Sequence, residues 1–223
     1  MTGRWIDVDA ADGHRAAAWR VNPEGTPKGL VVVAQEIFGV NGHIRDVAGR
    51  LAALGWVAVA PALFDRYERG VELGYGSDDV ARGRALKAKA DLSAALADVA
   101  AARAAVPDLP AAVVGFCWGG LVAWAAACRL PGLAAAVSYY GGGIGALAGE
   151  RPLCPTMLHF GGKDTAIPLH EVEAVRAAHP ELPVHLYDAG HGFACDQRAS
   201  YDEAAAKLAW ARTLEFLERT AAR

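Results

Sequence analysis

The stretch Ala112-Val113-Val114-Gly115-Phe116-Cys117-Trp118-Gly119-Gly120 constrains this chain more than any other. A short apolar run ends at Gly115, and an Ala-rich segment of helix-forming composition, Leu121 to Arg129, follows the turn. Gly-x-Cys-x-Gly between the two predicts a strand that reverses sharply into a helix. Cys117 then sits at the apex, the position from which a strained turn projects a nucleophile. Glycines at 115 and 119 remove side chains that would collide there. The helix starts at once, so its N-terminal N–H groups and positive dipole end lie beside the sulfur and favour thiolate. The competing reading is a buried structural cysteine at an ordinary strand-helix junction.

On either side of this unit, apolar runs alternate with helical patterns. Arg4 to Asp9 and His14 to Val21 alternate loosely around Asp12-Gly13, a hairpin signal. Leu30 to Ala34 is a continuous β-branched run, as expected of a strand covered on both faces. A helix is expected over Asn41 to Leu54, capped by Asn41 and stopped by Gly55. Trp56 to Ala60 reads as the next strand, ended by Pro61. Residues 61–79 are irregular and polar, and a loop of that length at a strand's C-terminal end is more often functional than idle. One long helix is expected from about Asp79 to Ala105, with Arg82, Arg84, Lys87 and Lys89 read as a mainly solvated face. Further strands are predicted at Ala134 to Tyr140, Thr156 to Phe160 and Val184 to Tyr187, with a helix over Leu169 to Ala178. A last helix, about Tyr201 to Arg219, carries Leu208, Leu214 and Leu217 on its apolar side. This alternation predicts an α/β fold, a mostly parallel sheet with helices on both faces. Without repeats or linkers, residues 1–223 read as a single domain.

A thiol nucleophile needs a base, and the base needs an orienting group. The chain has seven histidines. His14, His43, His170 and His179 fall in predicted turns or helices, and His159 and His185 inside strands. His191, between Gly190 and Gly192 on a post-strand loop, is the remaining one and the candidate base. Asp164, in Gly161-Gly162-Lys163-Asp164 after another strand, is the candidate acid. Asp188 is its rival, though it lies close to His191 in sequence.

Five motifs in order now carry a resemblance. Gln35-Glu36-Ile37-Phe38-Gly39, Gly-Phe-Cys-Trp-Gly-Gly, Ser138-Tyr139-Tyr140-Gly141, Gly161-Gly162-Lys163-Asp164 and Gly190-His191-Gly192-Phe193 resemble the dienelactone hydrolase (carboxymethylenebutenolidase) family of α/β-hydrolases. The similarity runs from about residue 30 to the last helix. It implies a triad of Cys117, His191 and Asp164, with the backbone N–H groups of Ile37 and Trp118 as oxyanion hole. It also implies that Glu36 contacts the nucleophilic cysteine and takes part in its activation. A carboxylate beside a thiol disfavours thiolate until substrate displaces it. The bland reading of Glu36 is a solvated strand-end residue. Tyr139 matches an active-site tyrosine of the family, with Tyr140 the off-by-one rival, and Phe38 is placed at the substrate. Two family arginines grip a substrate carboxylate. At one of these positions this chain has Cys195, with Arg198 three residues on. Arg82 or Arg84 would supply the other.

The activity implied is cleavage of a carboxylic ester or enol-lactone through an acyl-thioester on Cys117, without metal or organic cofactor. The alternatives are a broad small-ester carboxylesterase and, from another class, a non-catalytic ligand-binding member of the fold. A thiol redox enzyme would need a resolving cysteine, and Cys128 lies some 16 Å along the same predicted helix, at ~1.5 Å per residue. A net charge of −3 makes no electrostatic case for nucleic acid or membrane binding. No run of about 18 apolar residues occurs, nor a signal-peptide core in Met1 to Asp12. Four cysteines without CxxC spacing suit reduced thiols in a cytoplasm. The expected partner is a small ester or lactone, the chain being a monomer or small homo-oligomer.

Overall fold

In the computed structural model, which describes residues 2–222, eight strands form one sheet in the order β1-β2-β4-β3-β5-β6-β7-β8. β1 (Arg4–Asp9) and β2 (Arg15–Val21) form an antiparallel hairpin, and β2 is also antiparallel to β4 (Trp56–Pro61). The other pairings are all parallel, through β3 (Gly29–Ala34), β5 (Ala111–Phe116), β6 (Ala135–Tyr139), β7 (Thr156–Gly161) and β8 (Val184–Tyr187). The strand before Cys117 is thus interior, between β3 and β6.

Each apolar run serves two faces because side chains alternate along a strand. Val31 and Val33 of β3 pack with Ile44, Val47 and Leu51 of α1 (Gly42–Ala53) and Phe216 and Leu217 of the last helix (Glu203–Thr220). Leu30, Val32 and Ala34 join Leu96 and Val99 of α3 (Leu92–Ala104) and Val122 and Ala126 of α4 (Trp118–Arg129). Burying an aliphatic side chain of this kind contributes about 1.5–3 kcal/mol. As expected, Asn41 caps α1, its side chain accepting from the Ile44 N–H at 3.3 Å.

Two expectations need correcting. The long helix over 79–105 is two helices, α2 (Ser77–Lys89) and α3, broken at Ala90-Asp91. Asp91 accepts from the Ala94 N–H at 2.8 Å and so starts a new helix. A side chain that can cap offers the backbone an alternative to continuing. The last helix starts at Glu203, and its Leu208 is 47% exposed, while Ala205, Ala209 and Thr213 fill the face that meets the sheet. As expected, residues 62–76 hold no helix or strand, and hydrogen bonds tie them to their neighbours. Asp65 accepts from the Ala17 N–H at 2.9 Å, and Leu73 N–H donates to the Phe38 carbonyl at 2.8 Å. The Arg66 guanidinium donates twice to the buried Asp98 carboxylate, each bond 2.8 Å. Burial pushes Asp98 up despite that pairing, whereas Arg66 is raised by it; the bidentate geometry favours the charged pair.

Candidate active site

Cys117 adopts φ 54° and ψ −115°, a left-handed conformation costly for any residue with a Cβ. The reversal is held by the packing of α4 against the sheet. A Cβ on Gly119 would lie 2.2 Å from the Ala34 carbonyl oxygen, and one on Gly115 1.8 Å from that of Gly119. Only glycine lets α4 begin this close to β3 and β5.

Two loops from later in the chain reach this turn. His191, after β8, brings Nε2 to 3.1 Å from Cys117 Sγ, while its Nδ1 lies 2.7 Å from Asp164 Oδ2. Asp164, after β7, is fixed in turn by the N–H groups of Ala166 and Ile167, which donate to Oδ1 at 2.8 and 3.2 Å. The rival Asp188 is exposed and pairs with Lys163 at 2.9 Å, away from the imidazole. Burial opposes charge on His191, but the bonds and charges of Asp164 and Cys117 outweigh it and push its pKa up to about 10.

Above this row lies a cavity of about 200 Å³ lined by Ile37, Phe38, Cys117, Trp118 and His191 among others. The Trp118 N–H heads α4 and so has no intrahelical acceptor. Arg84, Lys87 and Arg198 also line the cavity, and its lining includes no carboxylate among the described residues. Lys87 was missed as a site residue. Positions 80, 84 and 87 share one helical face, and Gly83 brings α2 against the wall, since a Cβ there would meet the Ile37 carbonyl oxygen at 2.3 Å. Arg82, by contrast, points to solvent and pairs with Glu68.

Glu36 is fully buried rather than solvated. It makes no hydrogen bond to Cys117; Arg198 Nη1 donates to its Oε1 at 3.3 Å. The guanidinium lies over Phe38 and Tyr75, at 5.4 and 5.6 Å from the ring centroids. Tyr139 is a core residue, its hydroxyl 2.6 Å from Thr213 Oγ1. It is Tyr140, at φ 38°, whose ring lies beside His191, 5.1 Å between centroids. A second cavity of similar volume, lined by Phe116, Tyr139 and Trp210, holds neither the reactive sulfur nor the imidazole.

A mostly parallel sheet with helices on both faces, and a side chain presented on the turn after an interior strand, define an α/β-hydrolase fold. Residues 16–221 match the model of the Dienelactone hydrolase family, and the chain belongs to that family of carboxylic ester hydrolases. It is 36% identical to the carboxymethylenebutenolidase of Pseudomonas sp. (strain P51), over 98% of this chain and 96% of that one. A Synechocystis protein named "Putative carboxymethylenebutenolidase" is 38% identical, covering 85% of each chain. Among solved structures, a Klebsiella pneumoniae protein described as "Putative Dienelactone Hydrolase" superposes with a TM-score of 0.82 at 31% identity, covering 97% of this chain and 98% of that one. No helix among the described residues is long and apolar enough to cross a membrane.

Proposed function

We propose that this chain hydrolyses a small carboxylic ester or enol-lactone that bears an anionic group, with Cys117 as nucleophile, His191 as general acid and base, and Asp164 orienting the imidazole. The observation that carries this reading is the row Asp164–His191–Cys117, at 2.7 and 3.1 Å, on the floor of the cavity. His191 Nε2, 3.1 Å from Sγ, takes the thiol proton as attack begins, so that a thiolate forms beside an imidazolium. The thiolate attacks the acyl carbon, and the N–H groups of Ile37 and Trp118 take the developing oxyanion. Donors so placed contribute about 3 kcal/mol each. The acyl–oxygen bond breaks as the imidazolium gives its proton to the leaving oxygen. Neutral His191 then takes a proton from water, the hydroxide attacks the thioester, and the acid leaves while Cys117 is regenerated.

Arg84, Lys87 and Arg198 favour a substrate carboxylate over a neutral ester. A carboxylate that engages Arg198 competes with Glu36 for it. The test is mass spectrometry of acid-quenched turnover, which should find the acyl group on the Cys117 peptide. A panel of dienelactone, neutral lactones and short aryl esters tests the anionic preference. Turnover without an adduct, and unaffected by Cys117→Ala, removes the mechanism. Equal use of neutral and anionic substrates favours the broad esterase.

A further inference from the structure

Phe116, the residue before the nucleophile, walls a second cavity of about 200 Å³ that the hydrolytic reading does not use. Its apolar lining is largely aromatic: Phe116, Tyr139 and Trp210, with Val47 of α1. Phe116 and Tyr139 stack on one another, 4.7 Å between centroids. Arg50 and Lys207 complete the walls, and the lining includes no carboxylate among the described residues. Each cation has an acidic partner outside the cavity, Asp196 for Arg50 and Glu203 for Lys207, but all four side chains reach solvent. Exposed pairs of this kind hold together by about 0–1 kcal/mol, so either cation can turn to a better acceptor.

We propose that this cavity is an effector site that binds a small aryl carboxylate, separately from the catalytic cavity. An apolar cavity of about 150 Å³ is enough to take a benzene ring, and this one is larger. Aromatic walls favour a ring, which packs against them offset or edge-on at centroid distances of about 4.5–7 Å. The exposure of Arg50 and Lys207 puts the carboxylate at the mouth, where it keeps part of its hydration, and leaves the ring inside. There the carboxylate exchanges a weak surface pair for a charge-assisted bond, which a guanidinium can make with two parallel N–H groups. A neutral ligand leaves the cations unused, and a purely ionic one leaves the aromatic walls unused.

Occupancy reaches the catalytic row through shared walls. The segment 191–201 borders both cavities: Ala194 and Tyr201 line this one, His191 and Arg198 the catalytic one. Phe116 is joined directly to Cys117, and Tyr139 to Tyr140, whose ring lies 5.1 Å from that of His191. A ligand that presses on Phe116, Tyr139 or Ala194 therefore acts on the chain that carries the nucleophile and the base, without displacing substrate. The left-handed turn at Cys117 persists only while its surroundings hold it, which makes it sensitive to packing beneath it. The binding site stands independently of the hydrolytic mechanism, whereas its effect on turnover rests on that reading.

The test is calorimetry with 4-bromobenzoate, set against 4-bromobenzyl alcohol as its neutral analogue. The acid is expected to bind the wild-type chain and the alcohol to bind more weakly. The double variant Arg50→Ala, Lys207→Ala should weaken the acid about 10-fold or more, the size of one charge-assisted bond. Ala206→Leu, which fills the cavity, should abolish binding, and Arg84→Ala with Lys87→Ala, in the catalytic cavity, should leave it unchanged. No binding by the wild type, equal binding of the alcohol, or binding lost with Arg84 and Lys87 rather than with Ala206 overturns the site. Should Ala206→Leu not fold, bromine anomalous scattering from a wild-type co-crystal decides: bromine among Phe116, Tyr139 and Trp210 supports the site, and bromine beside Cys117 refutes it. With a neutral aryl ester at saturation, where competition no longer counts, the acid should change kcat in the wild type and not in Ala206→Leu. Binding that leaves kcat unchanged overturns the effect on turnover. A chain that turns over no ester fails the hydrolytic reading, while calorimetry still decides the site.

Discussion

Arg198 Nη1 meets Glu36 Oε1 at 3.3 Å, joining two residues 162 positions apart in a pair whose carboxylate is fully buried and whose guanidinium is partly open to the cavity. Gly192 makes room for this contact, because a Cβ there would lie 2.5 Å from the guanidinium. Removing one partner of a buried pair strands the other charge, at a cost of about 3–5 kcal/mol. Arg198→Leu should therefore destabilise the fold by roughly that amount, and Glu36→Gln in the same chain should restore much of it. Denaturant unfolding of the two single variants and the double variant measures the coupling; additive effects would show that the pair is not charged and buried together.

Cys117 should be the fastest thiol to alkylate. Burial raises Cys128 to about 12 and Cys195 to about 11, so both remain protonated at neutral pH. Timed iodoacetamide labelling with peptide mapping should find Cys117 modified first, and more slowly in His191→Ala. Cys117→Ala should lower kcat on the order of 10⁶-fold, the scale seen when the nucleophile of such a row is removed.

His191 makes stability depend on pH in a defined direction. Its folded pKa of about 10 lies above the unfolded value of roughly 6.5. Below the lower value both states hold the proton and its contribution is complete. Between the two only the folded chain keeps it, so stability falls as pH rises and this contribution is gone above the upper value. The Tm difference between wild type and His191→Ala should shrink steadily from pH 6 to pH 10; a constant difference would mean that the imidazole is not held charged.

The cations on α2 should separate by face. Arg84→Ala and Lys87→Ala should each raise KM for an anionic ester about 10-fold, the size of one charge-assisted bond, while leaving a neutral ester unchanged. Arg82→Ala, whose guanidinium pairs with Glu68 in solvent, should change neither. Steady-state kinetics on a matched pair of substrates reads the difference.

Much of this arrangement was legible because local chemistry imposed it. Gly115 and Gly119 were readable as a reversal, since no other residue avoids the carbonyl oxygens that fill their Cβ positions. His191 and Asp164 were readable because each follows a strand on a parallel sheet's C-terminal rim. The break at Ala90-Asp91 was not, as alanine continues on both sides and only the cap on Asp91 interrupts it. Arg82 and Arg84, like Tyr139 and Tyr140, are near neighbours of the same chemistry that project in different directions. Only the packing of α2 against Ile37, and the left-handed turn at Tyr140, tell them apart.

The amino-acid order by itself determined which segments become strands, where the chain reverses around a reactive sulfur, and which imidazole and carboxylate can follow it to the same rim. These are consequences of side-chain period and backbone sterics within a few residues. The tertiary structure alone decided that Glu36 pairs with Arg198 and that Arg84 rather than Arg82 faces the cavity. Such outcomes depend on distances between elements brought together by burial of the sheet's two apolar faces, and no local pattern encodes them.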